Sequence, residues 1–167
     1  EECMVATNRC AARFLADHNA SGPFVHHPGF RQDRIEEARK FLTMHAPELA
    51  EVELDSLQGY RDVIKALSSS DRTLPLRAMV NRLLTRAGLT TKSGPHMGMS
   101  LPAYTNCTSP LRRYLDFLVH LQIKSILHKQ PAELVTQQTL DALAKRIATA
   151  RSATDQAERW LAGRYIA

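Results

Sequence analysis

Apolar positions recur at three- and four-residue spacing along most of the chain, a period that predicts helices. A helix over 2–18 carries Met4, Val5, Ala11, Ala12 and Leu15 on one stripe, closes at Asn19, and is broken by Ser21, Gly22 and Pro23. "FVHH", from Phe24, reads as a short extended piece before Pro28 and Gly29. Ile35, Ala38, Phe41 and Leu42 share one face of a second helix over 31–45, and "PELAEVELDS" separates it from a third over 56–67. After the loop "SSSDRT", the spacing of Leu76, Met79, Val80, Leu83 and Leu84 predicts a fourth helix over 75–87, ended by Gly88. "GPHMGMSLPAY" reads as loop and short strand, and two long helices over 110–129 and 137–162 complete a mostly helical chain with a few short strands. No internal repeat or low-complexity tract interrupts it. The chain opens inside a helical pattern without an initiator Met and stops just beyond a helix at Tyr165, Ile166 and Ala167, so a piece of a longer protein is expected.

Polar residues that fall on apolar faces carry the next step. In "NCTSPLRRYLDF", Ser109 is a good N-cap and Pro110 suits the first helical position, so Arg112 and Arg113 are expected in a first turn whose N–H groups already supply positive charge. At about 100° per residue, Leu111, Tyr114, Leu115, Phe117, Leu118, Val119, Leu121, Ile123 and Ile126 cover most of that helix's circumference, which predicts burial on several sides. Arg112 projects between Val119 and Ile123, inside the apolar arc, whereas Arg113 projects with Asp116, His120 and Lys124. A guanidinium inside the arc needs an anion. A phosphate would accept the arginine fork together with nearby N–H groups; a carboxylate elsewhere, or escape of the side chain to solvent, serves equally well. For Arg113, Asp116 three residues on offers a surface pair. In the first helix Glu1 and Asn8, seven apart, sit in the middle of the apolar stripe. Such groups need partners, either a ligand such as a ribose or, for Glu1, water at a frayed terminus.

Composition narrows the picture only slightly. The 167 residues make one domain or a piece of one, and 22 basic against 17 acidic residues, a net charge of +5, permit nucleic acid without demanding it. Cys3, Cys10 and Cys107 form an odd set without CxxC spacing, which speaks against a disulfide framework or a structural zinc site and predicts a reducing, cytoplasmic home. No apolar run approaches the ~20 residues that cross a bilayer. His26 and His27, or the acidic series Glu48, Glu51, Glu53 and Asp55, are metal candidates, but adjacent residues on an extended piece point oppositely and a charged loop is usually solvated. Walker A, GxSxG and dinucleotide signatures are absent.

"YTNCTSPLRRYLD" resembles the signature of the ribonuclease II and ribonuclease R family of hydrolytic 3′-to-5′ exoribonucleases. "EECMVATNRCAA", "GPHMGMSL" and "AERWLAGRY" are similar to further segments of that family, in the same order along the chain. The resemblance implies the helical C-terminal half of an α+β RNB catalytic domain spanning residues 1–167. It also implies degradation of single-stranded RNA to nucleoside 5′-monophosphates with Mg²⁺, held by an aspartate cluster upstream of the part represented here. Arg112 matches the arginine that contacts the scissile phosphate and Glu1 the glutamate that contacts the terminal nucleotide; Asn8, Tyr104, Thr108 and Ser109 are the other implied RNA contacts. No metal ligand is assigned within the chain, and its implied partners are single-stranded RNA and the upstream half of the same domain, without membrane or small-molecule cofactor. A gapless match puts Thr154 where the family often has glutamate, and Asp155 and Glu158 point elsewhere on the helix. Two alternatives stand beside the enzyme: a non-catalytic RNA-binding relative that keeps the channel but lacks metal ligands, and a helical module in which the signature only organises packing.

Overall fold

The computed structural model describes residues 1–68, 76–130 and 135–166, and all structural statements concern these. Six helices and a two-stranded sheet follow in the order α1 (Glu2–Asp17), β1 (Phe24–His26), α2 (Ile35–His45), α3 (Leu57–Leu67), α4 (Leu76–Asn81), β2 (Gly88–Thr90), α5 (Tyr114–Leu127) and α6 (Gln137–Ile166). The strands pair antiparallel, Val25 opposite Leu89. The mostly helical expectation holds, with short strands where the chain crosses between packed helices.

Two apolar clusters position the rest. α2, α3 and α4 pack through Leu42, Tyr60, Val63 and Val80, with Phe30 beneath them. α1 packs on α5 through Ala12, Leu15 and Val119, with Phe24 and Cys107 filling between. α3 starts where Ser56 accepts a hydrogen bond from the Gly59 N–H at 2.9 Å, satisfying one of the free donors of a first turn. That turn lies so close to the preceding loop that a Cβ on Gly59 would overlap the Glu53 carbonyl oxygen.

Two helices are shorter than their apolar periods predict. α4 ends at Asn81 instead of 87, because Leu83 turns inward and the chain beyond it joins the segment after β1. Arg31 N–H donates to the Leu83 carbonyl at 2.9 Å, Thr85 N–H to that of Gly29 at 2.8 Å, and Leu84 bridges to Phe30. Non-local pairing wins over local period. α5 begins at Tyr114, so residues 110–113 lie outside the predicted helix over 110–129 and the N-cap is Arg113, not Ser109. Its apolar arc is only partly covered: Val119 is fully buried, but Tyr114, Phe117, Leu121 and Leu127 are exposed. α6 extends to Ile166, past the predicted end at 162.

Gly59→Ala is expected to destabilise the protein by about 3 kcal/mol, since the backbone it meets cannot rotate away. Gly88→Ala, where nothing lies within 4 Å, should be neutral or slightly stabilising. Thermal unfolding of the two variants decides this, and equal midpoints would contradict it.

Candidate functional site

From Tyr104 to Arg113 the chain forms no helix or strand longer than a turn, and side chains from distant elements hold its backbone. The Tyr104 carbonyl accepts from Val25 N–H at 2.8 Å, and the fully buried Thr105 donates its hydroxyl to the Pro23 carbonyl at 2.6 Å. Asn8 holds the segment twice. Its Nδ2 donates to the Tyr104 hydroxyl at 2.9 Å, and its Oδ1 accepts from Cys107 N–H at 2.8 Å. The amide on the apolar stripe of α1 thus has partners within the chain. His120 Nε2 donates to the Cys107 carbonyl at 2.7 Å, tying α5 to the same residue. The Cys107 thiol is buried, and burial, reinforced by the Asp116 carboxylate, pushes its pKa up against the opposing pull of Arg113. A thiol held protonated is a poor nucleophile.

Beyond Thr108 the chain makes a tight turn. The Ser109 carbonyl accepts from the N–H groups of both Arg112, at 3.3 Å, and Arg113, at 3.0 Å. Ser109 N–H in turn donates to Asp116 Oδ2 at 2.8 Å, and the same oxygen meets the Arg113 guanidinium at 2.8 Å. Arg113 also donates to the Thr108 hydroxyl at 3.3 Å. Asp116 is completely buried, while the Arg113 side chain is 40% exposed.

Two expectations are corrected here. The Arg113–Asp116 pair exists, but its carboxylate lies in the core rather than on the surface. Arg112 does not project into the apolar arc, because it precedes the helix; it stands exposed beside Leu111 at the tip of the turn. Its N–H is already spent on Ser109, so the backbone donors expected beside it are not free. The anion that balances the positive end of α5 is Asp116 itself, in the first turn.

The other residues of interest lie around this segment. Glu1 is exposed at the N-cap of α1, seven residues before Asn8, and its carbonyl accepts from Met4 N–H at 3.0 Å. Thr154 is exposed on α6 and donates its hydroxyl to the Ala150 carbonyl at 3.1 Å. Glu48, Glu51, Glu53 and Asp55 are exposed, and among the described residues no three His, Cys, Asp or Glu side chains converge as metal ligands would.

A cluster of aromatic rings, which no local spacing predicts, lies beside this segment. His27 stacks on His96 with centroids 5.4 Å apart, His96 meets the edge of Tyr104 at 5.4 Å, and His27 meets Tyr60 at 6.2 Å. Gly29 N–H donates to His27 Nδ1 at 3.2 Å, which places the neutral ring's hydrogen on Nε2. Burial lowers the pKa of both histidines, and for His96 the neighbouring His27 adds to the effect. The only sequence signal was that "HH" and "GPH" both carry histidine; nothing local joins segments so far apart.

Arg113→Ala leaves a buried carboxylate without its cation and is expected to cost about 3–5 kcal/mol. Arg113→Ala with Asp116→Ala should be less destabilised than Arg113→Ala alone; chemical denaturation that finds the double variant worse would contradict the pairing. The lowered histidine pKa values mean that, below about 6.5, the unfolded chain takes up protons the folded chain refuses. Stability is therefore complete above that pH and falls as pH drops through the window toward the folded-state values. His27→Gln with His96→Gln should flatten the fall in melting temperature between about pH 6.5 and 5, and an unchanged slope would contradict this assignment.

Residues 1–129 match the family model of the RNB domain. The chain is 36% identical over 166 residues to exoribonuclease 2 of Serratia proteamaculans, an alignment covering 99% of this chain and 26% of that protein. It therefore spans about a quarter of the length of the curated relatives it matches. The fold is similar to Mycoplasma genitalium RNase R in complex with ribose-methylated single-stranded RNA, at 18% identity and a TM-score of 0.60, covering 86% of this chain and 22% of that one. It is equally similar to yeast Ssd1, a pseudonuclease, at 19% identity and a TM-score of 0.61, covering 85% and 18%. With residues 1–129 of 167 inside the family model and the helical arrangement shared with RNase R, the chain belongs to the RNB-domain family of exoribonuclease 2 and RNase R.

Proposed function

We propose that these residues form the helical part of a catalytic domain that hydrolyses single-stranded RNA from its 3′ end, and that Arg112 grips the phosphate being cut. The observation that carries this reading is the turn at 109–113: an exposed arginine stands at its tip while its neighbour Arg113 is consumed by a buried carboxylate. A rigid mount for one free guanidinium is what charge stabilisation at phosphorus requires, because the donors must already be aimed when negative charge builds on the phosphoryl oxygens. Glu1 accepts a hydrogen bond from a ribose hydroxyl of the terminal nucleotide. Thr108 and Ser109 face the strand from the start of the turn, and Asn8 and Tyr104, whose polar atoms are paired with each other, contribute by fixing the segment's position.

The proposal includes Mg²⁺, which supplies Lewis-acid activation of water and phosphate when bound. The residues described here do not converge into a carboxylate cluster, so its ligands are assigned to chain outside this arrangement, and no step is routed through it. The apolar residues that α5 and α6 leave exposed, Phe117, Leu121 and Trp160 among them, are assigned to contact with that upstream half. The setting is cytoplasmic.

In the full-length protein, Arg112→Lys is expected to lower single-turnover cleavage of single-stranded RNA by about 100-fold while changing RNA affinity only a few-fold, because lysine keeps the charge and loses the planar fork. Arg113→Lys should leave the chemical step near its original rate. Equal losses for the two would contradict the assignment, and RNA binding without hydrolysis by the unaltered protein would make it a non-catalytic relative.

A further inference from the structure

The imidazoles of His27 and His96 stand on a seam between two segments far apart in sequence. His27 N–H donates to the Pro95 carbonyl at 3.3 Å and Met97 N–H to the His27 carbonyl at 2.9 Å, so the backbone after β1 runs beside residues 95–97. His96 N–H then donates to the Leu101 carbonyl at 2.8 Å, closing the loop that leads into the signature segment. The side chains continue the same route. His96 meets the edge of Tyr104, whose hydroxyl accepts from Asn8, and Asn8 also holds the Cys107 N–H.

Neither ring has a place for a positive charge. A cationic imidazole carries a hydrogen on each nitrogen. His27 Nδ1 already accepts from Gly29 N–H at 3.2 Å, so a proton added there removes that bond and sets two hydrogens against each other. His96 Nδ1 is buried without a partner among the described residues, so the hydrogen that the cation must carry there has no acceptor. The surroundings offer no compensating charge. Tyr60 faces His27 from α3, Tyr104 faces His96, His26 adjoins the pair from β1, and Arg31, Arg82 and Arg86 line the cleft onto which His27 opens. Asp33 is spent on Arg31 through contacts of 3.1 and 2.7 Å, and among the described residues no carboxylate pairs with either histidine. Two protonated rings stacked at 5.4 Å would also repel each other.

We propose that the His27–His96 pair is a pH-sensitive latch on the signature segment: with both rings neutral the seam is closed, and their protonation parts it and loosens the backbone from Tyr104 to Cys107 while the rest of the molecule stays folded. The closed form refuses protons that the open form accepts, so it is favoured above about pH 6.5 and lost progressively below. His120, the other histidine on this segment, donates to the Cys107 carbonyl through Nε2 and keeps that hydrogen when protonated, so it does not release the segment. The consequence for activity, loss of a fixed mount for Arg112 in mild acid, rests on the reading of the protein as an RNA-degrading enzyme. The opening itself does not.

The buried thiol of Cys107 reports the opening. In the full-length protein, its labelling by dithiodipyridine is located by mass spectrometry and expressed relative to glutathione in the same solution, which removes the thiolate chemistry's own dependence on pH. The ratio should be constant above about pH 7 and rise about tenfold by about pH 5, with the far-ultraviolet circular dichroism unchanged. His96→Phe keeps a ring on the stack and leaves one protonatable partner, so its rise should be smaller. His27→Gln with His96→Phe, in which the glutamine carbonyl can still accept from Gly29, should show none. A flat ratio in the unaltered protein overturns the proposal, as does a rise that accompanies loss of helical signal or that persists undiminished in His96→Phe. Single-turnover cleavage of single-stranded RNA over the same range should fall as labelling rises in the unaltered protein. A protein that opens in acid but cleaves nothing at any pH leaves the latch standing and removes the enzymatic reading instead.

Discussion

A carboxylate with no access to water organises the signature turn. Asp116 is fully buried, and its Oδ2 receives both the Ser109 N–H and the Arg113 guanidinium at 2.8 Å. A buried carboxylate is stable only while both bonds persist, since either one alone leaves a charge in a low-dielectric surrounding. The turn from 109 to 113 is thereby closed at both ends, and the backbone that carries the exposed Arg112 is fixed. The same carboxylate satisfies the positive end of α5, so helix start, turn shape and arginine presentation follow from one interaction.

The remaining support is spread over elements far apart in sequence. Asn8 from α1 holds Tyr104 and Cys107, Pro23 receives Thr105, and His120 from α5 returns to Cys107. These are individually modest bonds, but each satisfies a polar group that packing would otherwise strand, so losing one costs more than a surface bond would. The segment is accordingly a rigid loop placed by helices rather than an element in its own right.

What was legible in the sequence was what depends on local period. α1, α2 and α3 lie where the apolar spacing put them, and the oddity of Asn8 on an apolar stripe was visible at once. The errors share a physical cause. A helical wheel that starts the helix at Ser109 is four residues out of place, and that offset turns an exposed Arg112 into a buried one. The information that shifts the start is the Arg113–Asp116–Ser109 arrangement, in which burial of a carboxylate competes with local capping. α4 stops early for a related reason, because Leu84 pairs with Phe30 across more than fifty residues. The ring cluster of His27, His96 and Tyr104 depends on the segment after Phe24 meeting the one after Gly94, and no spacing within either encodes that.

In the role proposed for Arg112, the buried Asp116 carboxylate acts by holding the turn that presents the guanidinium. A double-mutant cycle in the full-length protein tests it most directly, with single-turnover RNA cleavage as the readout. Asp116→Asn should slow cleavage when Arg112 is present and add almost nothing once Arg112→Ala has been introduced, because the turn then has no guanidinium left to aim. Losses that simply multiply across the two substitutions would contradict the account, and would mean that Asp116 supports the fold without directing Arg112.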